Sequence, residues 1–255
     1  MFSVNVLFLQ KFCKDTNLFF SRAFMKLKVI NDLLGIFFPK SCCCCGSVLL
    51  TSENQICTEC LLGLPFTDYS KVVENPVEKI FWGRVPIEAA TALLSFSKKG
   101  GVQRILHSIK YKDNKELGVY MGRQLGLAIS ESHRFDTVDY IVPVPLHPKK
   151  LKKRGYNQSE EIAKGIIAHL HKPLCTDVLI RTRFTETQTK KGRFSRWENV
   201  SDKFALFDTG VFENKHILIV DDVITTGATI ESCARAVLEA PGAKVSVAGL
   251  AFAGH

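Results

Sequence analysis

The residues best suited to chemistry lie together at positions 216–229, which read His-Ile-Leu-Ile-Val-Asp-Asp-Val-Ile-Thr-Thr-Gly-Ala-Thr. Four apolar, mostly β-branched residues, Ile217 to Val220, read as a buried parallel strand. Asp221 and Asp222 end it. Thr225, Thr226, Gly227, Ala228 and Thr229 then lead into a helical pattern from about Ile230 to Glu239. A strand, a hydroxyl-rich loop and a helix place backbone N–H groups and threonine hydroxyls at a helix N-terminus, which attracts anions. The two carboxylates would repel a phosphate in direct contact, but they suit a neighbouring diol, whose hydroxyls they can accept. Acid pair and phosphate cradle together suit a phosphorylated sugar with free hydroxyls. The competing reading is an ordinary α/β strand end with a polar cap. Neither G-x-x-x-x-G-K-[ST] nor G-x-G-x-x-G occurs, so this is not a Walker A or dinucleotide loop.

A second chemical concentration is positive charge. The chain carries a formal +9, and between Lys149 and Val200 there are thirteen Lys or Arg against five Asp or Glu. Lys149, Lys150, Lys152, Lys153 and Arg154 are crowded into six positions. A local basic field of this kind implies a pyrophosphate, a nucleic acid backbone, or both, unless it is only a solvated face. Aromatic residues are interleaved with these charges: Tyr156, Phe184, Phe194 and Trp197. They could stack on bases, although packing is the more common use.

The third concentration is sulfur. Of nine cysteines, six fall between Cys42 and Cys60. Clustering argues for metal rather than a dispersed disulfide framework. Cys42 and Cys45 form one C-x-x-C, Cys57 and Cys60 a second, with eleven residues between the pairs and Gly46 free to turn after the first. This spacing predicts a structural tetrahedral Zn²⁺ held by four thiolates. Cys43 and Cys44 blur the register of the first pair. A redox role fits less well, since such sites use one C-x-x-C opening a helix after a strand. Cys13, Cys175 and Cys233 are isolated.

The elements that must position these groups follow from periodicity. A helix is expected from Met25 through Leu27, Ile30, Leu33, Leu34, Phe37 and Phe38 until Pro39 stops it. Met25 is the expected natural start, with residues 1–24 a poorly ordered extension; no apolar run is long enough for a membrane helix. Residues 25–65 then form a helix plus a zinc element, residues 63–84 a linker, and residues 85–255 the main domain. In that domain strands are expected at 89–96, 139–144, 177–180, 216–221 and 243–250. Helices are expected from Val102 to Ile109, from Leu117 to Ile129, and from an Asn157 or Ser159 cap to Leu170. Alternation at this pitch predicts an α/β fold with a parallel sheet flanked by helices. In such sheets ligands sit beyond the C-terminal strand ends.

Positions 217–229 closely resemble the phosphoribosyl pyrophosphate (PRPP) loop of type I phosphoribosyltransferases. The resemblance implies that Asp221 and Asp222 meet the ribose 2′- and 3′-hydroxyls while Thr225 to Thr229 hold the 5′-phosphate. The order of motifs is more specific. A tetracysteine element, Ile109-Lys110-Tyr111-Lys112, P-V-P-L-H-P-K-K-L-K-K-R-G-Y-N-Q-S, T-Q-T-K-K-G-R and V-D-D-V-I-T-T-G-A-T resemble the competence protein F (ComF) family over about residues 33–255. Membership would imply a type I phosphoribosyltransferase fold with an N-terminal zinc finger. It would place the pyrophosphate against the loop that follows the 139–144 strand, at Lys149, Lys150, Lys152, Lys153 and Arg154. It would put a mobile catalytic loop over residues 181–199, with Gln188, Lys190 and Arg193. Lys110 and Lys112 either reach the phosphates or lie on a solvated turn.

The function this resemblance implies is that of a cytoplasmic, PRPP- and Mg²⁺-binding protein that supports DNA uptake in natural competence, with phosphoribosyl transfer as its activity if it is an enzyme. The alternative is a non-catalytic PRPP or nucleotide sensor that binds single-stranded DNA and other uptake proteins. No residue names a nucleophile, so a base, ammonia and water stay open as acceptors.

Overall fold

The structure, a computed structural model, describes residues 39–97, 100–182 and 203–254. The helix expected from Met25 lies outside the described residues. Two units are distinguished by their internal contacts. In the small one, residues 39–42 and 46–57, the chain turns on itself. Cys42 N–H donates to Ser47 O at 2.8 Å, Gly46 N–H to Cys42 O at 2.9 Å, and Leu49 N–H to Lys40 O at 2.8 Å. Gly46 sits at φ +82, where a Cβ would be strained.

The large unit follows the expected alternation. Helices α1 (Thr58–Leu62) and α2 (Pro76–Lys79) precede strand β1 (Ala89–Ser95). Helices α3 (Gly101–Tyr111) and α4 (Lys115–Ser130) lead to β2 (Tyr140–Pro143). Helices α5 (Pro148–Arg154) and α6 (Gln158–Leu170) follow, then β3 (Leu179–Thr182) and β4 (Lys203–Leu206). Strand β5 (His216–Ile224), helix α7 (Ala228–Val237) and β6 (Lys244–Phe252) complete it. The main sheet runs β1-β6-β5-β2, all parallel. Ile217, Leu218, Ile219 and Val220 are fully buried, as the apolar run on β5 requires. Burying each such side chain contributes about 1.5–3 kcal/mol.

Register carries the site. Pro143 on β2 lies opposite Val220 on β5, and Val144 N–H donates to Val220 O at 2.9 Å. The chain leaving β2 therefore departs beside Asp221. Behind the sheet, α4 and α6 come into backbone contact. Leu117, Met121, Leu125 and Ile129 are buried along α4. A Cβ at Gly122 would run into the Ile162 backbone, and one at Gly165 into α4. That close approach brings the N-terminus of α6 to the sheet edge.

Three expectations are corrected. Residues 63–84 are not a loose linker. Val77 and Phe81 are buried in the core, and Asn75 caps α2 while its Nδ2 donates to Tyr69 O, Val72 O and Ala90 O at 2.8–3.0 Å. Strand β3 begins two residues later than expected and pairs antiparallel with β4 in a separate ribbon. Its alternation explains this: Leu179 is buried and Ile180 exposed, whereas a parallel interior strand is apolar on both faces. Finally, the basic stretch after β2 is helical rather than a loop. His147 Nδ1 accepts from Lys149 N–H at 3.2 Å, Pro148 opens the helix, and Gly155 at φ +79 ends it.

Candidate phosphosugar site

Asp221 and Asp222 stand near the C-terminal end of β5, which runs on to Ile224. Asp221 Oδ1 accepts from Ser159 Oγ–H at 3.0 Å and from Asp222 N–H at 2.8 Å. Burial, and then the Asp222 charge beside it, push the Asp221 carboxyl up to about 7. The hydrogen bonds and the nearby Lys110 ammonium pull in the other direction without cancelling this. Asp222 Oδ2 meets Lys110 Nζ at 3.0 Å. The two acids are thus not equivalent: Asp221 is tied into the fold, and Asp222 is ion-paired across to α3.

Beyond the acids, Thr225, Thr226, Ala228 and Thr229 are exposed, and Gly227 is buried at φ +74. Gly227 is the N-cap of α7 and offers no side-chain cap; Ala228 N–H, at the first helical position, donates to Thr226 Oγ1 at 3.5 Å. The loop is fastened from outside. Arg84 Nη1 donates to Thr226 O at 2.7 Å and to Ile80 O at 2.9 Å. The other guanidinium nitrogen pairs with Glu231. A Cβ on Gly227 would lie 2.9 Å from Ile80 Cδ1 and from the Phe81 ring.

On the neighbouring strand end, Lys149, Lys150, Lys152 and Lys153 are exposed on α5, and no described carboxylate pairs with them. Arg154 is half-buried. It donates to Gln158 Oε1 at 2.7 Å and stacks over the Tyr111 ring at 5.3 Å. Asn157 caps α6 as expected, accepting from Ser159 N–H at 3.2 Å, and also donates to Val144 O at 3.0 Å. Tyr156 is buried, so it packs rather than stacks on a ligand. Gln188, Lys190, Arg193, Phe184, Phe194 and Trp197 lie outside the described residues.

Two residues that meet the loops, Ser159 and Arg84, are not marked as site residues by the sequence. Ser159 reads there as a helix cap. Lys110, expected either at the phosphates or on a solvated turn, meets the Asp222 carboxylate. Arg84 carries no sequence signal; a lone arginine in a turn-rich stretch has no periodicity to mark it.

The cysteine expectation is met at the level of donors. Sulfur atoms of Cys42, Cys45, Cys57 and Cys60 all lie within 4.8 Å of one another. Zn–S bonds of about 2.3 Å set tetrahedral sulfurs roughly 3.8 Å apart, so small adjustments would complete the shell. Cys57 N–H already donates to Cys42 Sγ at 3.3 Å, the kind of support a thiolate ligand requires. The four thiols fit a metal ion.

Comparisons with known proteins agree with this geometry. The phosphoribosyl transferase domain family matches residues 157–255, which include α6, β5, the Thr/Gly loop and α7. The chain is 28% identical to the DNA utilization protein YhgH of Escherichia coli K12 over 209 residues, 81% of this chain and 87% of that one. It is 25% identical to competence protein F of Haemophilus influenzae over 210 residues, 82% and 83% of the two chains. To competence protein ComFC of Bacillus subtilis it is 36% identical over 101 residues, 39% and 38% of the two.

Proposed function

This chain belongs to the competence protein F (ComF) family, and from that premise we propose that it binds PRPP at the end of β5 and supports DNA uptake in natural competence. The observation that carries the reading is the acid pair two residues before a Thr/Gly loop that opens onto a helix whose N-cap is a glycine. Asp222, with help from Asp221, accepts the ribose hydroxyls. The N–H groups and hydroxyls of Thr225 to Thr229 surround the 5′-phosphate. Lys149, Lys150, Lys152, Lys153 and Arg154 face the pyrophosphate.

Transfer chemistry follows from that placement. When the C1–O bond of PRPP breaks, positive charge grows on the ribose and negative charge on the departing pyrophosphate. Cations already aimed at the latter lower the barrier without reorganising. Mg²⁺, carried with the pyrophosphate, would supply further charge neutralisation there. Zn²⁺ on Cys42, Cys45, Cys57 and Cys60 would be structural, because all four positions are taken by thiolates. Among the described residues no helix is long and apolar enough to cross a membrane. The cytoplasm is the location proposed with the PRPP reading. Pyrophosphate release from PRPP, measured over a panel of bases, tests the activity. Release is expected from the wild type with at least one base and absent from the Asp221→Asn, Asp222→Asn double variant. Undiminished release by the double variant would move the site elsewhere.

The exposed lysines of α5, with no carboxylate paired to them among the described residues, favour a second use of the same wall, in binding single-stranded DNA. Phosphate contacts of this kind release counterions, so affinity falls steeply with salt. Replacing Lys149, Lys150, Lys152, Lys153 and Arg154 with Gln should weaken DNA binding and flatten its salt dependence. Unchanged affinity and slope would remove DNA from this surface.

A further inference from the structure

Resting on the PRPP reading, we infer that Lys110 is a positioning residue of the diol-binding acids, and that the turn ending α3 forms a further wall of the pocket. In sequence residues 109–112 read as a phosphate contact or a solvated turn; Tyr111 and Lys112 are exposed, as on a solvated turn, but Lys110 is not. Lys110 Nζ lies 3.0 Å from Asp222 Oδ2, and both side chains are largely withdrawn from solvent, at 25% and 14% exposure. Lys112, two residues on, is exposed.

The turn is held where this contact can form. Tyr156 OH donates to Ile109 O. Arg154 stacks on Tyr111 from one side and His107 from another, with ring centres 4.9 Å apart for the aromatic pair. Lys115 Nζ sits 5.2 Å over the Tyr156 ring. The segment after β2 therefore clamps the end of α3 and delivers one ammonium to one carboxylate. That carboxylate is half of a like-charged pair in which the other member already resists ionisation. A fixed cation at Asp222 holds its carboxylate oriented to accept a hydroxyl, so Lys110 acts on the sugar through Asp222.

A residue that contacts phosphate, or one that only stabilises the fold, behaves differently from one acting through the diol acids. The test is calorimetric binding of three ligands, PRPP, ribose 5-phosphate and inorganic pyrophosphate, to wild type, Lys110→Met, Lys110→Arg and Lys112→Met, with thermal melts alongside. Losing a charge-assisted contact predicts about tenfold weaker binding of the two diol ligands to Lys110→Met. Pyrophosphate affinity should stay unchanged, Lys110→Arg should recover most of the loss, and Lys112→Met should match the wild type. An equal loss for pyrophosphate would make Lys110 a phosphate contact and overturn the inference. Unchanged sugar binding by a folded Lys110→Met would overturn it as well, as would sugar binding by a folded Lys110→Arg no better than that of Lys110→Met. If the wild type itself bound neither PRPP nor ribose 5-phosphate, the PRPP reading would fall and the inference with it.

Discussion

Ser159 Oγ, at the start of α6, lies 3.0 Å from Asp221 Oδ1, near the end of β5. This hydrogen bond joins the helix that follows the basic wall to the acid that precedes the phosphate loop, so two walls of the pocket share one fixed atom. It also leaves Asp221 oriented inward, with its carboxyl still pushed up to about 7 by burial and by Asp222.

That shift has opposite consequences for stability and for binding. In the unfolded chain Asp221 is an ordinary carboxyl near 4. Because the folded value is higher, the folded protein holds an extra proton between about pH 4 and pH 7. The stability this group contributes is full below about pH 4, is lost as pH rises through about 7, and is flat above. Asp221→Asn cannot ionise, so its stability advantage over the wild type should be largest at pH 8 and clearly smaller at pH 5. PRPP affinity of the wild type should instead fall as pH drops below about 7, since a protonated acid gives up acceptor capacity. Denaturant titrations of both proteins at the two pH values check the first point; parallel stability curves would contradict it.

Gly227 permits the loop geometry for two separate reasons, φ +74 and the nearness of Ile80 and Phe81. Gly227→Ala carries a left-handed backbone penalty of about 1–2 kcal/mol, and the contact adds to it. A fall in Tm of roughly 5 °C is expected, together with weakened binding of PRPP. A melt superimposable on the wild type would show that the loop yields more easily than its packing implies.

The tetracysteine site predicts about one zinc per chain by elemental analysis after dialysis. Cys57→Ser should lose most of it, and the chain around residues 39–62 should become protease-sensitive, because the binding energy of such a metal is folding energy. Cys43→Ser should keep the metal, since Cys43 lies outside the four sulfurs brought together. Retention by Cys57→Ser would exclude the assignment.

Much of this was legible in the sequence, for identifiable reasons. Ile217 to Val220 are apolar on both faces of a strand, and nothing but a central parallel position uses that pattern. Asn157 announces a helix start through its chemistry, and the C-x-x-C pairs announce their ligand set through spacing. What escaped was non-local. Lys110 and Asp222 are far apart in the chain and meet only because Tyr156 and Arg154 hold the end of α3 in place. Residues 63–84 looked like a linker because their helix is a single turn, too short to show a period; Asn75 fixes them through five hydrogen bonds that no pattern encodes. The helix of Lys149, Lys150 and their neighbours was hidden by its charge, since it has no buried stripe to reveal it.

The central claim is that the end of β5 is a PRPP site organised by its two acids. Isothermal titration of PRPP with Mg²⁺ tests it most directly. Saturable binding near one PRPP per chain is expected for the wild type, with no measurable binding by a folded Asp221→Asn, Asp222→Asn double variant. Absence of binding by the wild type, or equal affinity in the double variant, would contradict it.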